Sequence, residues 1–594
     1  MDIQKAAGYP RPDMRRPFRR LDGTWQFAFD DKDRGMREKW YRKGYELDRT
    51  IQVPYVYQCR ESGIGPTDEI HPIIWYKYLI DMPRMLPGEH LILHFGAVDD
   101  VARVFVNGQM VTEHTGGYAP FEVDITPWLR GSKTEICLRV EDRPCRTRPR
   151  GKQYWKRGLM GCWYTPSSGI WQSVWLESTA YNRILSVHFT PDVPNGRCGM
   201  DVTLAKAPEE WTSLTVHVTC GGEGATSVKV DIRERITHVT LDLRQEGYVH
   251  LWSPEHPELY DVEMELMMYG RSPAVYDRVQ TYFGMREVEV RDGLIRLNGS
   301  RTYLRMILDQ GYWPDTLLTP PSGDALKEDL LWTKKFGYNA VRKHQKMEDP
   351  RFYFWADVLG VMVWGEVPSA YQFERETVTA LSDTLRDFIL RDYNHPSIIA
   401  WVPLNESWGV GEITERADEQ HASRMLFHLC KALDPTRLVS GNDGWEQCET
   451  DICALHDYAD RGEDMERHFS DREATEREGC DVRQAYVPGF HSGKDTAFMV
   501  TEYGGIAFSS IGLQGDAGGM ESWGYHDKVQ NEEEFFERYR SVTDAIRSLP
   551  YCQGYCYTQL SDVMQEINGL LTPDRKPKVS PERVAEINRN PEGR

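Results

Sequence analysis

Two glutamates in the second half of the chain stand directly after short apolar runs. Glu406 follows Ile399-Ala400-Trp401-Val402-Pro403-Leu404 and Asn405, and Glu502 follows Phe498-Met499-Val500-Thr501. An ionisable group beside a core strand is costly unless it is paired or used. Two carboxylates that meet across one pocket suit hydrolysis of a glycosidic bond. One protonates the departing oxygen, and the other attacks the anomeric carbon or activates water. The structural alternative pairs them with Arg342 or His344 to seal the top of the fold. Aromatic side chains crowd the same run ends: Trp313, Trp364, Trp401, Trp408, Tyr458 and Tyr503. Sugar rings pack their C–H faces on such platforms, so six together favour a binding pocket over simple capping.

These residues need elements to position them. From about residue 283, short apolar strands alternate with long helical segments. Strands are expected at 303–307, 339–343, 361–364, 398–402, 437–440, 451–455, 497–501 and 553–557, with helices between. Eight such units describe a (β/α)8 barrel, whose site lies at the C-terminal ends of the strands. A doubly wound sheet would need a Gly-rich first turn, and none follows Ile307. Polar residues do collect at the predicted strand ends: Asp309, Arg342, His344, Glu366, Asn405, Glu406, His456, Tyr458, Glu502, Tyr503 and Gln559. The charged run 459–483 interrupts the alternation and reads as a solvated helix or long loop, with a rim over the barrel mouth as the functional alternative.

The part before the barrel is all-β in texture. Residues 1–182 carry short apolar runs bounded by turn residues, including a hairpin signal where 101–106 meets Asn107-Gly108. Residues 183–282 hold about seven alternating runs, as an immunoglobulin-like sandwich requires. At 594 residues the chain is too long for one core. Lys plus Arg is 71 against 91 Asp plus Glu, a net charge of −20 that argues against nucleic acid as the main partner. No run is long and apolar enough to span a membrane, and the N-terminus has no apolar core of a secretory signal, so a cytoplasmic location is expected. The 12 cysteines are scattered without a metal-binding spacing, and read as free, mostly buried thiols.

The order of short motifs carries a resemblance. Leu21-Asp22-Gly23-Thr24-Trp25, Phe95-Gly96-Ala97-Val98-Asp99, Val106-Asn107-Gly108, Gly169-Ile170-Trp171, Leu251-Trp252-Ser253-Pro254 and Phe283-Gly284-Met285-Arg286 followed by Leu297-Asn298-Gly299 occur in this sequence. Each is weak alone. In this order the chain resembles glycoside hydrolase family 2, the family of β-galactosidases, β-glucuronidases and β-mannosidases, over nearly its whole length. The resemblance implies a jelly-roll sugar-binding-like domain, an immunoglobulin-like domain and a catalytic TIM barrel. It implies that Glu406 of Asn405-Glu406 is the general acid/base, that Glu502 is the nucleophile of a retaining mechanism, and that Asn405 bonds the sugar 2-OH. Tyr503 or Tyr458 would orient Glu502. The negative Glu502 is expected to raise the pKa of Glu406. Asp309, Arg342, His344, Glu366, Trp408, His456 and Gln559 complete the expected substrate contacts. No cofactor or metal is expected.

Departures bear on substrate. The family's Ser-His-Tyr-Pro after strand two is Arg342-Lys343-His344-Gln345-Lys346 here. The Asp-Glu at strand three is Gly365-Glu366. The Asn-x-Lys pair with which β-glucuronidases hold the sugar carboxylate is missing, since Gly569-Leu570 follows Asn568, leaving Lys343 or Lys346 as cations to replace it. The expected activity is a retaining exo-glycosidase of β-galactosidase type. A β-galactofuranosidase or α-L-arabinofuranosidase follows, then a β-glucuronidase or galacturonidase; a carbohydrate-binding protein with an inactive barrel is the non-enzyme alternative. A glycoside is the expected partner, with homo-oligomerisation open.

Overall fold

The computed structural model describes all residues except 83–84, 86–87, 245–246, 270–272, 479–482, 510–521 and 590–594. The first all-β stretch folds as an antiparallel sandwich. Its larger sheet runs Arg49–Val53, Gly23–Phe29, Ile73–Asp81, Lys133–Glu141, Val101–Val106 and Gln109–Thr115. Its smaller sheet runs Phe18–Arg20, Val174–Ala180, Glu89–Phe95 and Phe121–Asp124. Trp25, Phe27, Tyr76, Leu93, Phe95, Val104, Leu138 and Leu176 fill the space between. Trp40, Trp75, Phe105 and Cys137 form a second layer on the outer face. This is why 133–141 reads as a continuous buried run instead of alternating.

Seven strands between Ile184 and Phe283 form the next sandwich, three against four. Val187, Phe189, Met200, Leu214, Val216, Met264 and Val279 form its core. A hairpin, Val288–Arg291 with Leu294–Leu297, then packs Val288, Ile295 and Leu297 against the inner residues of the barrel.

The barrel strands are β1 (Leu304–Asp309), β2 (Ala340–Lys343), β3 (Met362–Glu366), β4 (Ile398–Val402), β5 (Leu438–Val439), β6 (Ile452–His456), β7 (Ala497–Gly504) and β8 (Cys552–Thr558). They pair in parallel in the order β5-β4-β3-β2-β1-β8-β7-β6. β5 is only two residues long, and the seam to β6 is bridged by Asp451, whose N–H donates to Val439 O (2.9 Å) and whose Oδ2 accepts from Val439 N (2.8 Å). The chain between them, 440–451, lies against β6, with Gly444 N on Ala454 O and His456 N on Gly444 O. Helices start at side-chain caps such as Ser322 and Asn531.

Inner and outer positions alternate along each strand. Leu304, Met306 and Leu308 pack with Ala340, Met362, Trp364, Ala454, Met499 and Cys556 in the barrel interior, whereas Ile307, Val341, Val363 and Phe498 pack outward against the helices. The charged run 459–483 contains two short helices, Gly462–His468 and Arg472–Glu478, and its residues 479–482 lie outside the described ones. The first packs on the helix Glu532–Ser548, with Met465 and Phe469 buried. The eleven described cysteines are free, nine of them buried. No helix among the described residues is long and apolar enough to cross a membrane.

Candidate active site

Alternation decides which strand-end residues reach the barrel axis. On β2 the inward position is Arg342, fully buried. Its Nε donates to Glu366 Oε2 (2.8 Å) and its NH2 to Asn405 Oδ1 (2.6 Å). Its NH1 donates to Glu502 Oε1 (3.0 Å) and contacts Asp443 Oδ1 (2.9 Å). One guanidinium therefore ties together β2, β3, the β4 loop, the 440–451 loop and β7. Its planar fork suits this role where a point charge would not.

Glu502 reaches the axis because β7 carries an irregularity. Val500 pairs opposite Leu455, but the next registered pair is Glu502 with His456. The extra residue, Thr501, inverts the alternation so that Glu502 points inward and Tyr503 outward. Glu502 Oε2 accepts from the Tyr458 hydroxyl at 2.5 Å. Tyr503 is fully buried on the other side of the sheet, its hydroxyl 2.9 Å from Thr543 on the helix Glu532–Ser548. Of the two expected orienting tyrosines, Tyr458 is the one beside the carboxylate.

Glu406 and Ser407 both adopt left-handed backbone, with φ of 52° and 55°. Such residues cost about 1–3 kcal/mol each and persist only where the surroundings hold them. Here Glu406 N donates to Asp443 O (2.8 Å) and Ser407 N to Asn442 Oδ1 (3.0 Å). The turn aims Glu406 back over the barrel. Its Oε1 lies 2.8 Å from His456 Nδ1, and its Oε2 accepts from Trp408 Nε1 (3.3 Å). His456 Nε2 lies 2.8 Å from Asp443 Oδ1 and 3.6 Å from Glu502 Oε1. His456, expected to bind sugar, instead spends both ring nitrogens on carboxylates.

The electrostatics follow from this packing. Burial alone would discharge His456, but Glu502, Asp443 and Glu406 outweigh it and raise its pKa to about 10. Burial pushes the Glu406 carboxyl up, yet the hydrogen bond and charge of His456, with Lys152 behind it, hold it well below the usual range. The expected upward shift of Glu406 is therefore reversed, because a cation stands between the two carboxylates. Burial raises Glu366 to about 7 against the pull of Arg342. Burial, Lys152 and Arg342 together keep His344 neutral, its pKa far below the ordinary imidazole value. One ligand atom each of Glu406, His456 and Glu502 lie within 4.8 Å of one another, which is metal-ligand spacing. A metal there would first have to displace the proton of a charged His456, since only neutral imidazole coordinates. Cys220, His250 and Glu258 form a similar cluster in the second sandwich.

Other expected contacts are placed elsewhere. Asp309 is the outward residue at the end of β1 and pairs with the outward Lys343 (2.6 Å), which also meets Glu348 (3.2 Å). Lys346 donates to Gly311 O and Leu318 O and pairs with Glu348 (2.7 Å). Neither lysine offers its charge to the pocket. Glu366 is fully buried between Arg342 and His344. Gln559 is buried too, donating to Asn568 Oδ1 (2.7 Å).

The sequence reading missed three contributors. Asp443 and Asn442 come from the loop that replaces most of β5. The third is the first sandwich itself, whose segment 146–168 reaches over the barrel mouth. Arg150 N and Gly151 N both donate to Ser369 O (3.0 and 3.1 Å). Tyr371 donates to Gly151 O, and Gln565 Nε2 to Gly161 O (2.6 Å). The Tyr164 hydroxyl meets Glu566 Oε2 (2.5 Å). Trp163 packs edge-on against Trp408 and Tyr371, with centroids 5.4 and 5.5 Å apart. Lys152 is brought into the field of Cys162, Glu566, Glu502 and Glu406, which outweighs burial and raises its pKa. The only sequence signal was the density of charged and aromatic residues in 146–164, which no local period assigns to the barrel.

Comparison with known proteins agrees with this architecture. The profile "Glycosyl hydrolases family 2, sugar binding domain" matches residues 18–176, "Glycosyl hydrolases family 2" matches 182–286, and "Glycosyl hydrolases family 2, TIM barrel domain" matches 288–589. A β-galactosidase of Thermoanaerobacter pseudethanolicus is 29% identical over 429 residues, 71% of this chain and 53% of that protein. A β-glucuronidase of Paenibacillus borealis is 26% identical over 463 residues, 73% of this chain and 74% of that one. The match thus spans about half the length of the first relative. In fold, the chain is similar to a β-glucuronidase of an uncultured Clostridium sp. (TM-score 0.77, 19% identity, 96% of this chain and 98% of that chain). It is also similar to a β-galacturonidase from Eisenbergiella tayi (TM-score 0.73, 20% identity, 97% of each chain). With a profile matched in each of its three parts, and the barrel profile alone covering more than half its length, the chain belongs to glycoside hydrolase family 2.

Proposed function

We propose that the protein is a retaining, exo-acting O-glycoside hydrolase, with Glu502 as nucleophile and Glu406 as acid/base, and a terminal β-galactoside as its first substrate class. The observation that carries this reading is spacing. Glu406 and Glu502 offer carboxylate oxygens within 4.8 Å of each other. Retention needs carboxyl groups about 5–5.5 Å apart, whereas inversion needs roughly 6.5–9.5 Å to admit a water. Arg342 and Tyr458 hold one oxygen each of Glu502, fixing the carboxylate for attack on the anomeric carbon. The Glu406 side chain is 20% exposed and faces the open side, where it protonates the leaving oxygen and later deprotonates water. Asn405 gives its carbonyl to Arg342, which leaves its amide NH2 as the donor to a sugar hydroxyl. Trp408, Tyr371 and Trp163 form the aromatic wall for the sugar's apolar face.

A second reading, a hexuronide, is favoured by Lys152. Its ammonium lies buried beside Cys162 in the field of Glu566, Glu502 and Glu406, and would receive a sugar carboxylate in place of the missing Asn-x-Lys pair. Hydrolysis of para-nitrophenyl galactopyranoside, galactofuranoside, arabinofuranoside, glucuronide, galacturonide and mannoside, with the product anomer read by proton NMR, tests both. One sugar cleaved with retention, and turnover lost in Glu502→Gln, is the expected result. Activity on a uronide alone moves the assignment to the second reading. An inverted product, or undiminished turnover in Glu502→Gln, refutes the mechanism.

A further inference from the structure

His456 bridges two carboxylates through its two ring nitrogens, Nδ1 to Glu406 and Nε2 to Asp443, each at 2.8 Å. A neutral imidazole has one N–H, so it would turn a bare lone pair on one of those oxygens. The resting geometry therefore favours a second proton on one of the two links. Arg342 NH1, 2.9 Å from Asp443 Oδ1, holds that carboxyl ionised, which places the proton on the Glu406–His456 link, on the ring or on the carboxyl. The ring is sealed, with 1% of its side chain exposed, whereas Glu406 is the solvent-facing end. Glu502 Oε1 lies 3.6 Å from Nε2 and Arg342 NH1 lies 3.3 Å from it; Glu366 sits behind Arg342. Trp445 packs edge-on against the ring, and Gly444 covers it so closely that a Cβ there would fall 2.9 Å from the imidazole.

We propose that His456 is a positioning residue that stores the proton of the acid/base and releases it in step with the charge on Glu502. This rests on the retaining mechanism proposed above. As Glu502 attacks, its electron pair forms the bond to the anomeric carbon and its negative charge is lost. The glycosidic C–O bond breaks, and its electron pair goes to the leaving oxygen. The Nδ1 proton moves to Glu406 Oε1, and the neutral carboxyl delivers a proton to the leaving oxygen. The ring keeps Nε2–H on Asp443, so the charge of the whole cluster is unchanged. In the second half, water attacks the anomeric carbon, its proton passes through Glu406 back to Nδ1, and the ester electron pair returns to Glu502. The coupling is electrostatic. Glu502 is the strongest charge favouring the imidazolium. Once it is esterified, Asp443 and Glu406 alone hold the ring proton, against burial and the Arg342 guanidinium 3.3 Å from Nε2.

The test needs no turnover. Protein carrying isotope-labelled histidine is titrated by NMR, with the His456 signal assigned by its absence in His456→Gln or, if that variant does not fold, in His456→Asn. The imidazolium is expected to persist through pH 8 in the wild type. In Glu502→Gln, whose neutral amide mimics the ester, the midpoint is expected to fall by at least one pH unit. A neutral ring at pH 7.5 in the wild type, or the same midpoint in both proteins, overturns the proposal. On any glycoside the enzyme cleaves, His456→Gln should lose at least tenfold more kcat/KM on an alkyl glycoside than on a dinitrophenyl glycoside. An equal loss on both marks a merely structural histidine and also overturns it. If no glycoside is cleaved, the retaining-hydrolase reading fails separately, while the titration still decides the protonation state.

Discussion

Gly151→Ala tests whether the first sandwich builds part of the pocket. Gly151 has φ of 59°, and a Cβ there would lie 2.3 Å from the Gln345 carbonyl oxygen and 3.1 Å from the Tyr118 hydroxyl. The left-handed conformation costs alanine about 1–2 kcal/mol relative to glycine. The backbone clash cannot be relieved by a rotamer, so the segment must lift away from the barrel. That breaks the bond from Gly151 N to Ser369 O and the bond from Tyr371 to Gly151 O. At about 1 kcal/mol each, the total reaches about 3–4 kcal/mol, or two to three powers of ten in the ratio of docked to undocked segment. Gly158→Ala is the control. Its φ of 89° is also one that L residues rarely adopt, but nothing lies within 4 Å of its Cβ. The assay compares kcat/KM, Tm and hydrogen exchange of 146–164 in both variants. Gly151→Ala should expose the segment and lower kcat/KM by about 100-fold, while Gly158→Ala changes kcat/KM less than threefold. Wild-type kcat/KM in Gly151→Ala, with the segment exchanging freely, would refute the contribution of this domain to the pocket.

Tyr458→Phe removes the hydroxyl that bonds Glu502 but keeps the ring stacked on Tyr525, so kcat/KM should fall about 10- to 100-fold with Tm within ~2 °C of wild type, as for a lost hydrogen bond to a charged group. Asp309→Asn unbalances a fully buried ion pair behind the strands. Thermal denaturation should show a loss of about 3 kcal/mol, with kcat/KM of the folded fraction unchanged; lost catalysis at unchanged Tm would return Asp309 to the pocket. His456 has a folded pKa raised from 6.5 to about 10, so its contribution to stability is complete below about pH 6.5 and is lost as pH rises toward 10. The wild type should lose Tm over that window, and His456→Gln should lose less of it; parallel curves would contradict the raised pKa.

Much of this molecule could be read from local pattern. The barrel strands predicted at 339–343, 398–402 and 451–455 fall within a residue or two of Ala340–Lys343, Ile398–Val402 and Ile452–His456. A period of two, a run of apolar residues and a helix that follows are properties of neighbouring residues, and they survive without knowledge of the fold. The same holds for the two glutamates, because a carboxylate after a buried strand is conspicuous in any context.

What the chain's local pattern did not decide was direction and charge. Asp309 and Glu502 look alike as acids at strand ends, yet one faces the helices and the other the axis. The difference is the parity of β1 against the irregularity at Thr501 in β7, which only pairing to β6 and β8 defines. Asp443 sits on a loop with no strand signal, and Lys152 arrives from another domain more than two hundred residues away in sequence. The protonation of His456 and Glu406 depends on all of these neighbours at once. Coulomb interactions act through space, so a shift caused by Glu502, Asp443 and Lys152 together has no counterpart in any stretch of sequence.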